Sequence, residues 1–394
     1  MDQTNSLPLA GIKVIEFTHM VMGPTVGVML ADLGADVIKV EPLKGDNTRR
    51  LVGSGSGYFP MYNRNKRSMC LDMKSDEGKK IAYQLLDEAD VLIENFRHGA
   101  MDKLGFSYET LKARNPRLIY CSEKGFLSGP YEERAALDEV AQMMGGLAYM
   151  TGPPGKPLRA GASVIDVTGG MFGAMAVLAA LQERHTTGEG QYVKSSLFET
   201  TAYLVGQHMA QYAVTGVEAS PMPARISAWA IYEVFETAEG EGVFVGVVSD
   251  TQWVNFCEAF GLADLANHPD YAKNAERVKR RDSLIPQIKT LFKRFTKVEL
   301  MEKLETVGLP FAPISTPVDL FDDPHLNAGD GLIELTLSDG SKTKLPALPI
   351  EMKGKRLGLH QDLPNIGEHT DDVLTSLGLT AEEIAALKAD NKVS

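Results

Sequence analysis

Between residues 159 and 181 the chain reads RAGASVIDVTGGMFGAMAVLAAL, and Asp166 is the one carboxylate in that run. No charged residue follows it until Glu183, while Gly169, Gly170, Gly173, Ala174 and Ala176 line the stretch after it. An acid in such surroundings has two uses. Aspartate is a favoured helix N-cap, and a helix from about Thr168 would offer unpaired backbone N–H groups to its oxygens. The other use is as a reagent: a carboxylate is a weak nucleophile in water because it is strongly solvated, and a water-poor pocket of small residues would let it approach a carbonyl closely. Both uses stay open on these residues alone, and they can coexist.

The other chemistry-bearing residues are basic and clustered. Lys44, Arg49 and Arg50 follow one strand-like run, and NRNKRSMCLDMK (63–74) adds Arg64, Lys66, Arg67 and Lys74. Most charge clusters are solvated faces. This one follows the C-terminal end of a parallel strand and accompanies the loop Asn95-Phe96-Arg97, whose ring could lie near a planar heterocycle while basic groups meet phosphates. A phosphorylated, base-containing ligand fits without a glycine-rich motif. The turn after the first strand reads T-H-M-V-M-G-P rather than G-x-G-x-x-G, and no P-loop, G-x-S-x-G or HExxH occurs. The eight histidines form no pair at metal-ligand spacing on one helix. No metal, nucleotide-redox or flavin cofactor is therefore expected.

Positioning these residues is the work of a recognisable pattern. IKVIEF (12–17) reads as a strand, PTVGVMLADLG as an amphipathic helix closed by Gly34, and DVIKVE (36–41) as a second strand. Further strands are expected at 90–95 and 117–123, with helices at EGKKIAYQLLDEA and YETLKARN, so the fold class is α/β with an open, largely parallel, Rossmann-like sheet. Ligands in such sheets bind beyond the C-terminal strand ends, where THMVMGP, EPLKGDNTRR, ENFRHGAMDK and SEKGFLSGP lie. The small-residue helix after Asp166 is read as buried in protein, and a further helix runs to about residue 214. A large domain over 1–220, a smaller α+β domain over 221–328 and a C-terminal segment over 329–394 returning to the large domain are expected from the linkers SPMPARISA and DDPHLNAG. Two capped helical starts close the chain, at GEHTDDVLTSLGL and TAEEIAALKADN.

Bulk properties narrow the function classes. The 394 residues carry a formal charge of -12, which disfavours nucleic-acid binding and confines any phosphate site to a local pocket. Cys70, Cys121 and Cys257 are odd in number and without a CxxC spacing, as expected of a reducing cytoplasm. No signal-like N-terminus is seen, so a soluble, unprocessed protein without a membrane partner is expected.

At EFTHMVMGP, LGADVIKVE, N-x-N-K-R-S-x-x-L-D-M-K, IENFRHGAMDKLG, K-G-F-x-x-G-P, LDEVAQMMGG, Ile165-Asp166, TGEGQ and IGEHTDDVL, the sequence resembles the class III CoA-transferases, the formyl-CoA and carnitine CoA-transferase type, over about residues 9 to 380. The resemblance implies a large domain with a small inserted one and a homodimer of interlocked chains. It implies that Asp166 is the catalytic nucleophile and that Asp138 takes part in acyl exchange. It also implies that coenzyme A, arriving as an acyl-CoA substrate, meets Val21 and Met22 near the reacting group, with Leu71, Asp72, Met73, Lys74, Asn95, Phe96 and Arg97 at its adenine-nucleotide end. Lys103 would contact phosphate, and Ala135, Ala136 and Leu137 would border the thioester.

Departures from the family pattern refine the substrate. Val21 replaces a glutamine of formyl-CoA transferases and the glycine-rich loop of their small domain is missing, which disfavours oxalate and formate. Pro42 and Leu43 stand where those enzymes have arginines, so Lys44 or Arg49 is expected to take that phosphate contact. The related racemases need a histidine directly before Asp138, where this chain has Leu137, and an acid that VGVVSD lacks. The expected reaction moves CoA from an acyl-CoA, with succinyl-CoA as the guess, to a C4 to C6 carboxylic acid through an anhydride and a thioester on Asp166, with oxyanion donors from backbone N–H groups near Asp166 or Gly145-Gly146. The alternatives are a 2-methylacyl-CoA epimerase of the same fold, an inactive CoA-binding protein, and a transferase working between two carboxyls of one acid.

Overall fold

The computed structural model describes residues 7–225 and 227–394. The chain divides into two compact units, Met1–Pro223 with Pro324–Ser394, and Ala224–Asp323. In the first, the alternating pattern builds a six-stranded sheet from β1 (Lys13–Phe17), β2 (Asp36–Glu41), β3 (Lys66–Cys70), β4 (Val91–Glu94), β5 (Ile119–Lys124) and β6 (Tyr192–Ser196). All neighbours pair in parallel, in the order β3-β2-β1-β4-β5-β6. The order turns back at β1 and β4, whose C-terminal ends therefore flank a crevice.

Period-two alternation sends one set of side chains to each side of this sheet. Ile15, Phe17, Ile38, Val40, Leu92 and Tyr120 face one layer, into which the C-terminal Val373, Leu374 and Ile384 also pack. Val14, Val37, Val91, Ile93, Ile119 and Cys121 face the other, against α1 (Met22–Asp32) and α8 (Val164–Thr187). Between these helices the chain forms α2 (Tyr58–Tyr62), α3 (Asp76–Asp87), α4 (Ala100–Leu104), α5 (Tyr108–Arg114), α6 (Asp138–Met144) and α7 (Leu147–Thr151), and α9 (Leu197–Thr215) follows β6.

Three expectations are corrected here. The run after Asp166 is buried on one face only: Gly169, Gly170, Gly173 and Ala174 pack inward, while Met171 and Met175 are 49% and 59% exposed. Small residues let α1 come close; a Cβ on Gly170 would stand 2.6 Å from Met22 O. Strands β3 and β6 were not expected, and in β3 the cationic side chains Lys66 and Arg67 disguise a strand. Finally, the basic cluster is largely spent inside the protein. Arg49 donates from Nε to Glu41 Oε2 at 2.8 Å and from Nη1 to Pro364 O at 2.9 Å, Arg64 pairs with Asp32 at 2.7 Å, and Lys66 pairs with Glu16 at 2.8 Å. Buried charges persist only when paired in this way, so Arg49 does not supply the phosphate contact.

The edge of β3 is covered by the C-terminal segment. Gly367 N–H donates to Ser68 Oγ and His369 N–H to Ser68 O, each at 2.9 Å, and Cys70 N–H donates to Thr370 Oγ1 at 3.1 Å. The G-E-H-T motif thus satisfies an edge that would otherwise be open. In the second unit, β7 (Ile231–Glu236), β8 (Gly242–Val247) and β9 (Phe311–Pro313) form an antiparallel sheet, and Phe235, Trp253, Phe256, Phe292 and Leu300 fill its core.

Candidate active site

Turning back of the strand order brings the loops after β1 and β4 together. His19 N–H donates to Asn95 Oδ1 at 3.0 Å, and Asn95 Nδ2 donates back to His19 O at 2.8 Å. The His19 and Phe96 rings lie 5.8 Å apart, and burial holds the imidazole below its ordinary value. Next to them Met20 takes a left-handed φ of 64°, with its N–H donating to Thr48 Oγ1 at 3.0 Å; such strain in a non-glycine residue persists where its surroundings hold it.

These loops open on a cleft of about 930 Å³, within the roughly 300–1,000 Å³ usual for small-molecule sites. Val21, Met22, Asn95, Phe96, Arg97, Lys103, Ala135, Ala136, Leu137, Asp138 and Asp166 all line it. Lys44, Leu71, Asp72, Met73 and Lys74 lie outside that lining. Leu71 is 1% exposed and belongs to the core, Asp72 N–H donates to Lys392 O at 2.9 Å, and Lys44 and Lys74 are exposed to solvent. The cleft also takes in residues that the sequence reading passed over, among them His19, Tyr58, Glu123, Arg134 and Arg159. His19, Glu123 and Arg159 sat inside stretches already under scrutiny; Tyr58 and Arg134 carry no local signal.

Asp166 lies in the first turn of α8, and Ser163 precedes that helix with no side-chain capping bond. The cap comes from elsewhere. Asp138, the first residue of α6, accepts at Oδ2 from the N–H groups of Ile165 (2.9 Å) and Asp166 (3.2 Å), and at Oδ1 from Gln142 Nε2 (2.5 Å) and Arg159 Nη2 (3.3 Å). Among the described residues nothing donates to the Asp166 carboxylate, so the capping use is corrected: another acid caps, and Asp166 is left over. Burial first, and then the neighbouring Asp138 charge, push Asp166 up to about 7, against the pull of Arg159. The charge also reaches Tyr62, which burial and then Asp166 push up to about 12.

Two further points follow from these bonds. The N–H groups of Ile165 and Asp166 are occupied by Asp138, and that of Gly145 donates to Ala141 O at 2.8 Å. These three N–H groups are therefore not free to serve as oxyanion donors. Arg97, His98, Lys103 and Arg134 stand exposed on the lining, which suits a phosphorylated ligand held by point charges at a solvated mouth. Chemically, the cleft joins a half-desolvated carboxylate to a cationic, aromatic approach. That is what a phosphorylated carrier bearing an electrophilic carbonyl requires.

Comparison with known proteins points to one family. Residues 9–370 match the profile of CoA-transferase family III. The chain is 35% identical over 383 residues to a succinate–glutarate CoA-transferase of Agrobacterium fabrum, covering 94% of this chain and 96% of that protein. It is 34% identical over 412 residues to a formyl-CoA:oxalate CoA-transferase of Rhodopseudomonas palustris, covering 96% and 95%. A crystal structure of a CAIB/BAIF family protein from Brucella suis superposes with a TM-score of 0.83 at 34% identity, covering 94% of this chain and 99% of that one.

Proposed function

Because this chain belongs to CoA-transferase family III and is an acyl-CoA:carboxylate CoA-transferase, we propose that Asp166 is its nucleophile and that the acids exchanged are dicarboxylates of succinate to glutarate size. One observation carries the reading: the Asp166 carboxylate faces the cleft with no donor among the described residues, while a second acid performs the capping.

In the proposed cycle an Asp166 oxygen attacks the thioester carbonyl, the C–S bond breaks, and CoA leaves as thiolate, giving a mixed anhydride. The thiolate attacks the aspartyl carbonyl, expelling the donor acid as its carboxylate and leaving an aspartyl-CoA thioester. The acceptor carboxylate attacks that thioester and releases thiolate, which then takes the acceptor acyl group and frees Asp166. One thioester replaces another, so no net oxidation or phosphate cleavage is needed. The environment supports this use of a weak nucleophile, since partial burial strips water from the carboxylate.

Substrate size is supported by the wall around Asp166. Val21 and Met22 are almost wholly buried, and with Tyr58 and Leu197 they make an apolar surface beside the nucleophile. The relatives named for succinate, glutarate and D-citramalate support a dicarboxylate in particular. We further propose self-association through α8 and α9, where the exposed side chains of Met175, Tyr203 and Val214, at 59%, 74% and 85%, would be covered by a second copy.

The test is a mass-spectrometric screen of succinyl-CoA and acetyl-CoA against a panel of mono- and dicarboxylic acids, with Asp166→Ala as control. New acyl-CoA from dicarboxylates, absent in the control, is expected. Unchanged turnover in Asp166→Ala overturns the reading. So does solvent deuterium entering the α-carbon of a 2-methylacyl-CoA without any acceptor acid.

A further inference from the structure

Arg159 opens the segment that leads into α8. Its Nη1 donates to Glu139 Oε1 at 3.2 Å, its Nη2 to Asp138 Oδ1 at 3.3 Å and to Ala162 O at 3.1 Å, and its Nε to Ala160 O at 3.2 Å. Ala160 N–H donates in turn to Gln142 Oε1 at 2.9 Å. Residues 159–162 are thereby clasped onto the first turns of α6, and the clasp ends two residues before the helix turn that carries Asp166.

The charge arrangement gives this clasp a second consequence. Asp138 has a side chain only 8% exposed, and Arg159 is its one ion-pair partner among the described residues. Asp138 accepts four hydrogen bonds, and its charge lies beside the carboxylate that has to ionise next. Two acids so placed do not both ionise at neutral pH unless a cation offsets one of them. The guanidinium has five N–H groups, and the four contacts above occupy most of them, which leaves little to bind a substrate carboxylate.

We propose that Arg159 is a positioning residue for the transferase reaction: by balancing Asp138 and clasping residues 159–162 to α6, it lets Asp166 act as a carboxylate nucleophile near pH 7. This rests on the proposed role of Asp166. The other titratable groups facing Asp166 are Asp138 from α6 and Tyr62 from α2, with Tyr58 beside Tyr62. Burial and the Asp166 charge hold the Tyr62 phenol up at about 12, so it stays neutral, and Arg159 is the positive group that sets the balance.

The experiment is the pH dependence of kcat and kcat/KM for the parent, Arg159→Gln and Arg159→Lys, with thermal melts of each. Loss of one nearby opposite charge should move the acidic limb of Arg159→Gln up by about one pH unit and lower its rate at pH 7 roughly fivefold, with recovery at higher pH. Arg159→Lys should return the limb most of the way. A lower rate at every pH with an unmoved limb overturns the proposal, because a purely structural role predicts it. A raised KM for the acceptor acid alone also overturns it, because it would make Arg159 a substrate ligand. Where Arg159→Gln is too unstable to assay, Asp138→Asn gives the converse reading: its limb should fall below the parent's, and an unmoved limb counts against the balance. An active Asp166→Ala enzyme would refute the reading of the site itself. An inactive Asp166→Ala with an unmoved Arg159→Gln limb would refute only the part given to Arg159.

Discussion

Asp138 Oδ2 accepts hydrogen bonds from the backbone N–H groups of both Ile165 and Asp166, at 2.9 and 3.2 Å, so α8 is capped by an acid from another helix. The helix cap and the proposed nucleophile are thus separate side chains. Removing the cap in Asp138→Ala should cost about 1–2 kcal/mol of stability, and Asp138→Asn, which keeps an acceptor oxygen, should cost less. Urea denaturation at pH 7 measures both. An Asp138→Ala protein as stable as the parent would mean that the cap contributes nothing.

Asp166 lies at about 7 against an ordinary 3.8, chiefly through burial. If Asp166 is the nucleophile proposed above, kcat/KM should rise with pH through an acidic limb near 7, because the ionised form would be the reagent. Stability runs the other way. A carboxyl raised in the folded state binds more protons there than when unfolded, so its contribution is fully present below about 3.8 and is lost as pH rises through about 7. Asp166→Asn should melt above the parent at about pH 8, with the difference closing toward pH 4; a variant less stable than the parent at both values contradicts this.

Glu123 makes a second, independent case. It is buried against α8 with Oε2 unpartnered, and burial first, then the nearby Glu94 charge, push it up to about 8. It is therefore neutral at pH 7, and Glu123→Gln should match the parent there. Above pH 8 the parent must ionise a buried acid and the glutamine variant need not. Thermal melts at about pH 9 should favour the variant, while a large loss at pH 7 would indicate a partnered carboxylate instead.

Two adjacent glycines of α8 should behave differently. A Cβ on Gly170 would come within 2.6 Å of Met22 O and 2.7 Å of Thr25 Cβ, whereas one on Gly169 would meet only the tip of Met22, with Cε at 2.6 Å. Backbone cannot step aside and a methionine end can. Gly170→Ala should lose about 1–3 kcal/mol by overpacking, visible in denaturant melts. Gly169→Ala should lose clearly less, and equal losses would contradict the packing described.

The parallel sheet was legible where strands are apolar and alternate, as in β1, β2 and β4. It was not legible in β3, where Lys66 and Arg67 read as a basic loop; their partners Glu16 and Asp36 come from other strands. The same blindness explains the phosphate contact expected of Arg49, since Glu41 and Pro364 claim that guanidinium through folding alone. Asp166 stood out because an isolated acid among small residues is a local pattern. That Asp138 would take over its capping role was not readable, because the two side chains lie on different helices 28 positions apart.

The most direct test of the account is trapping of the covalent state. The protein is turned over with succinyl-CoA and an acceptor acid in the presence of hydroxylamine, and the peptide spanning residues 159–181 is analysed by mass spectrometry. An acylated or CoA-bearing aspartyl group should be converted to a hydroxamate at Asp166, with none in the absence of succinyl-CoA. An unmodified Asp166 peptide from protein that is inactivated by hydroxylamine at another side chain would contradict the account.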